Sequence, residues 1–118
     1  MFLVYGIPTC DTVRKARKWL DARGVDHHFV NHRDTPPSQQ RIQGWIEALG
    51  AKALRNTSGR SYRALPDDKK TWSDEQWARA MAGDPMLIKR PVIEANDAAV
   101  LVGFRGTDDV LALSLIHI

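Results

Sequence analysis

At 118 residues the chain is long enough to bury one core and too short for two, and its 43% hydrophobic and 26% charged residues describe an ordinary globular composition. Seventeen basic residues against 14 acidic ones leave a formal charge of +3, a balance that fits an anionic small substrate and weak nucleic-acid attraction alike. A single cysteine excludes an intramolecular disulfide, and no segment approaches the ~20 apolar residues of a membrane span or has the layout of a leader. One soluble, cytoplasmic domain over residues 1–118 is the expectation.

"FLVYG" (2–6) reads as a short buried strand ended by Gly6 and Pro8. The stretch from Asp11 to Arg23 reads as a helix closed by Gly24, its Val13, Ala16 and Leu20 spaced along one buried face. "VDHHFVNH" (25–32) is a second strand reached by a short connection, which makes a β-α-β unit with parallel strands. "RDTPPS" (33–38) is a loop whose Ser38 can cap a helix carrying Ile42, Trp45, Ile46 and Leu49 on one face before Gly50. "NTSGRSYRALPDDKK" (56–70) is polar and turn-rich. A second capping signature, Ser73 with Gln76, opens a helix with Trp77, Ala80 and Met81 that Gly83 stops. "PVIEANDAAVLVGF" (91–104) carries two β-prone runs around Asn96 and Asp97, the mark of an antiparallel hairpin, and Thr107 or Asp108 starts a last helix. The closing "LALSLIHI" reads as a helix end, a partner surface or a cloning remnant.

The order β-α-β, helices, β-β-α predicts an α/β fold. It is a thioredoxin-like mixed four-stranded sheet with a core of about 1–32 and 86–118 and a helical insertion between strands 2 and 3 at about 33–85.

The chemistry concentrates where the first strand meets the first helix. A thiol just ahead of a helix faces unpaired backbone N–H groups and the positive end of the helix dipole, both of which favour thiolate, so Cys10 is the candidate nucleophile. Arg14, four residues on, lies on the helix face near Cys10, where it could hold an oxyanion or the thiolate. Lys15 and Lys18 read as solvated charges. In "LIKRPV" (87–92), a proline at the entrance of the third strand cannot donate to the sheet. In a thioredoxin-like fold Pro91, after a cis bond, faces the cysteine across the substrate groove, and Arg90 points into the same groove. His27 and His28 point to opposite faces of a strand and His32 is unsupported, so no metal site is expected. Trp19, Trp45, Trp72 and Trp77 read as core or helix flank, and no nucleic-acid motif accompanies them.

"YGIPTCDTVRKARKWL", "NTSGRSYRAL", "LIKRPV" and "LVGF" together, in order and over nearly the whole chain, resemble the ArsC/Spx family of arsenate-reductase-like proteins. The resemblance implies a nucleophilic Cys10, with Thr9, Arg14, Arg90, Pro91 and Arg105 on the substrate side. The oxyanion arginine of the middle segment falls near Asn56, with Arg55 and Arg60 as imperfect substitutes. The arsenate reductases carry histidine four residues before the cysteine, where this chain has Gly6. Spx regulators often carry a second cysteine three residues after the first; here that position is Val13. The chain looks most like the bacterial branch to which glutathione-dependent thiol reductase activity is attributed.

The leading expectation is thus a thiol oxidoreductase with no bound cofactor, in which Cys10 attacks an oxidised, small anionic substrate and the adduct is resolved by glutathione or a glutaredoxin-like protein. Reduction of arsenate to arsenite is a second reading. A non-catalytic, Spx-like module binding RNA polymerase is a third.

Overall fold

The computed structural model describes residues 2–104. Within them the chain runs β1 (Phe2–Gly6), α1 (Asp11–Ala22), β2 (His27–Asn31), α2 (Gln39–Leu49), α3 (Ala51–Leu54), α4 (Arg60–Arg63), α5 (Asp74–Gly83), β3 (Val92–Ala95) and β4 (Ala98–Val102). Single 3-10 turns at Asp67–Thr71 and Pro85–Leu87 flank α5. The four strands form one sheet in the order β2-β1-β3-β4, parallel between β1 and β2 and antiparallel elsewhere. This is the thioredoxin-like arrangement, with four helices inserted between β2 and β3.

The alternation of β1 divides the interior in two. Phe2 and Val4 face α1 and pack with Leu20, Ile93 and Ala95. Tyr5, with Val92 and Ala99 of the neighbouring strands, faces the insertion and packs against Ile42, Trp45, Leu54, Trp77, Met81 and Ile88. The insertion is thereby part of the core. Burying side chains such as Leu20 and Ile42, both 0% exposed, contributes on the order of 1.5–3 kcal/mol each.

Local signals set the element ends. Ser38 Oγ accepts from Arg41 N at 3.1 Å to start α2, and Ser73 with Gln76 closes a reciprocal capping box at the start of α5. Asn96 and Asp97, at φ 54° and 67°, turn the β3–β4 hairpin. The polar 56–70 stretch is more regular than a turn-rich reading implies, holding α4 and a 3-10 turn. The second strand begins at His27, two residues later than the β-prone run, because Val25 N bonds back to Leu20 O at 3.0 Å and ends the α1 turn first. The expected helix from Thr107 or Asp108, Arg105 and the terminal apolar stretch lie outside the described residues. Among those residues, no helix is long and apolar enough to cross a membrane.

Candidate active site

Cys10 closes the loop from β1 to α1. Its N–H bonds Ile7 O at 3.2 Å, its carbonyl accepts the first helical bond from Arg14 N at 3.0 Å, and its extended backbone, at φ −80° and ψ 122°, makes it the N-cap of α1. An N-cap side chain stands over the free N–H groups of the first turn. The half-buried thiol closes no cap hydrogen bond as a neutral group, yet the surroundings act strongly on its charged form. Burial pushes the thiol pKa up, but the N–H of Val13, the donating Arg90 guanidinium, the N–H of Thr12 and the charge of Arg90 together outweigh it. The net result is a pKa below the ordinary thiol value, so the nucleophilic thiolate is enriched near neutral pH.

Arg90, two residues ahead of β3, is half-buried. The Arg90–Pro91 bond is cis, and Tyr5 pairs with Val92 in the β1–β3 ladder, so Pro91 stands next along, beside Gly6. The Pro91 carbonyl is tied to Gly103 N at 2.8 Å. Arg90 Nη1 rests on Met86 Sδ at 3.9 Å, while its Nε is buried without a partner. Gly6 itself has no room for a side chain: an added Cβ would stand 2.6 Å from Cγ2 of the fully buried Val13. Positions 6 and 13 are thus in contact.

His32, the residue after β2, is the member of this region that sequence reasoning discarded. It is 1% exposed, its N–H bonds Gly6 O at 2.9 Å, and neither ring nitrogen has a partner. Burial first, then the nearby charge of Arg90, pushes its pKa down to about 4, so the imidazole is neutral at physiological pH. A lone histidine in a polar stretch carries no sign in sequence that it will be buried beside an arginine 58 positions later.

The other expected residues are dispersed. Arg14 donates to Asp11 one helical turn away on the exposed side of α1, and it is absent from the groups that act on the thiol. Thr9 is exposed at the loop beside Cys10. Asn56 serves the backbone: its N–H bonds Leu87 O at 2.8 Å, its Nδ2 reaches Met86 O at 3.4 Å, and its Oδ1 accepts from Ser58. Arg60 is exposed at the start of α4. Arg55 lies over the ring of Trp77, 4.6 Å from its centroid, in a cationic cleft of about 590 Å³ that Lys52, Lys70 and Lys89 also line. Another cavity, of about 470 Å³, lies between α2 and the β3–β4 hairpin, over the buried Glu94. Cys10 lines neither of these two.

The model of the ArsC family matches residues 5–112. The protein YusI of Bacillus subtilis is 36% identical over 105 residues, spanning 86% of this chain and 88% of its own length. An arsenate reductase of Neisseria meningitidis is 28% identical over 83% of this chain and 86% of its own. The crystal structure of a possible arsenate reductase from Streptococcus mutans superposes with a TM-score of 0.85 at 35% identity, covering 95% of this chain and 98% of that one.

Proposed function

Because the chain belongs to the ArsC family, with an arsenate-reductase-like sequence and fold, we propose that it is a thiol oxidoreductase whose nucleophile is Cys10 and whose adduct is resolved by glutathione. The observation that carries the reading is the stabilised thiolate: one accessible cysteine, at a helix N-cap, held below its ordinary pKa by backbone N–H groups and by Arg90. With no second thiol in the chain, the cycle must borrow one. The Cys10 thiolate attacks the glutathionyl sulfur of a mixed disulfide, the substrate thiolate leaves, and Cys10 carries the glutathionyl group. A glutathione thiolate then attacks that disulfide, releasing oxidised glutathione and restoring the thiolate. A glutaredoxin-like protein could perform the second step. Arg90 suits a carboxylate of the incoming tripeptide, since a guanidinium can form two parallel hydrogen bonds with it.

The same thiolate favours a second reading, supported by the Neisseria relative named as an arsenate reductase. Here Cys10 displaces hydroxide from arsenate, a glutathione thiol takes the sulfur as arsenite departs, and the two thiols supply the two electrons. Purified protein incubated with the mixed disulfide of glutathione and 2-mercaptoethanol, or with arsenate, in the presence of glutathione, NADPH and glutathione reductase, separates the two by which substrate drives NADPH oxidation. Turnover of the mixed disulfide, lost in Cys10→Ser, is the expected result. Failure of wild-type protein to gain a glutathionyl mass from oxidised glutathione, while its thiol is free, would overturn the glutathione reading.

A further inference from the structure

Burying a polar side chain without partners is costly, and His32 presents both ring nitrogens in that condition. Its place is set by the sheet. Gly6 pairs with Asn31 of β2, and the His32 N–H extends the ladder to Gly6 O. On the other side of Gly6, the β1–β3 register brings the Arg90–Pro91 segment alongside. His32 and Arg90 therefore flank the strand end that leads into Cys10, and the Arg90 charge is felt at the imidazole. The two side chains are complementary in what they lack. The Arg90 Nε–H is a buried donor without an acceptor, and a neutral imidazole offers one acceptor nitrogen.

We propose that His32 is a positioning residue for the active-site thiol: its neutral imidazole accepts from the Arg90 Nε–H as the guanidinium closes on the Cys10 thiolate, and holds it there. The groups facing each end are few. At the sulfur they are Arg90 and the N–H groups of Thr12 and Val13; at the imidazole they are Arg90, the backbone of His32 itself, which favours the protonated ring, and Arg33. Both arginines repel an imidazolium, which together with burial keeps His32 an acceptor throughout the range in which Cys10 ionises. This inference rests on the reading of Cys10 as the nucleophile and not on the identity of the thiol that resolves it.

The test is the pH dependence of Cys10 alkylation by iodoacetamide, which needs no glutathione. His32→Phe, which keeps a ring and removes the acceptor, should raise the midpoint by about half a unit to one unit, slowing alkylation below the midpoint by about three- to tenfold. His32→Gln, which retains a carbonyl acceptor, should recover most of the rate. In an Arg90→Gln background the His32→Phe change should add no further shift. An unchanged midpoint in His32→Phe, or the same shift with Arg90 already removed, overturns the proposal. Should the variants not fold, a scalar coupling across the hydrogen bond between Arg90 Nε and a His32 ring nitrogen in 15N-labelled wild-type protein decides: its detection upholds the proposal, and its absence where both signals are resolved overturns it. A wild-type midpoint at or above about 8.5 would instead remove the nucleophile reading itself.

Discussion

Arg14 and Arg90 both lie near Cys10, and their partners separate them. Arg14 is engaged by Asp11 on an exposed helix face, whereas Arg90 is half-buried and is the side chain that favours the Cys10 thiolate. A charge-assisted hydrogen bond is worth on the order of 1.5–3 kcal/mol, so Arg90→Lys should slow glutathionylation of Cys10 roughly tenfold or more. Arg14→Ala should stay within about twofold of wild type. Stopped-flow or mass-spectrometric rates for the two variants check the contrast, and equal losses would place Arg14 back at the thiol. Gly6 permits a separate expectation. The Cβ of Gly6→Ala would collide with a stiff, fully buried valine rather than the end of a flexible chain. The change should cost about 1–3 kcal/mol in denaturant unfolding, and Val13→Ala in the same protein should recover part of it.

At the level of elements, the insertion is fastened to the sheet by one buried carboxylate. Trp45 Nε1 of α2 donates to Glu94 Oε2 of β3 at 2.6 Å, and Arg41 Nε pairs with the same oxygen at 3.3 Å. Trp45→Phe keeps most of the apolar contact with Tyr5, whose ring centroid lies 4.9 Å away, but takes from the buried Glu94 carboxylate its 2.6 Å donor and leaves it the longer pairing with Arg41. It should therefore destabilise by about 1–3 kcal/mol, read from the chemical-denaturation midpoint. The hairpin offers a gain instead. Asp97 holds a left-handed backbone at φ 67°, a position in which glycine carries no Cβ penalty. Asp97→Gly should raise stability by up to about 1 kcal/mol, visible as a higher melting temperature, and Asp97→Val should lower it.

For the molecule as a whole, His32 couples folding to pH. Its pKa is about 4 in the fold against 6.5 when solvated. Between those values the unfolded chain binds the additional proton, so stability rises with pH across that interval and is fully present above about 6.5. Acidifying from pH 7 to 4 should remove up to about 3 kcal/mol through this one side chain. His32→Phe should flatten that part of the stability profile measured by urea unfolding at successive pH values. An equally steep profile in the variant would assign the acid sensitivity to other groups. The two faces of the sheet also explain why the insertion is not a detachable ornament: Tyr5 of β1 and Ile88 ahead of β3 lie in the same cluster as Trp45 and Trp77.

Much of this was readable along the chain because it depends on near neighbours. The capping serines Ser38 and Ser73, the spacing of Val13, Ala16 and Leu20, and the Asn96–Asp97 turn act through contacts within a few residues, so the order of elements and the thiol at a helix start follow from local rules. What acts on that thiol could not be read the same way. Spacing along one helix pointed to Arg14, but the first turn also contains Asp11, and the nearer carboxylate engages it. Arg90 reaches Cys10, and His32 comes to face Arg90, only because β1 lies between β2 and β3 in the sheet. Strand order brings residues 6, 32 and 90 to one edge and buries an imidazole there. Electrostatics at a thiol depends on distance through space and on exclusion of water, and both are settled by packing between segments far apart in the chain.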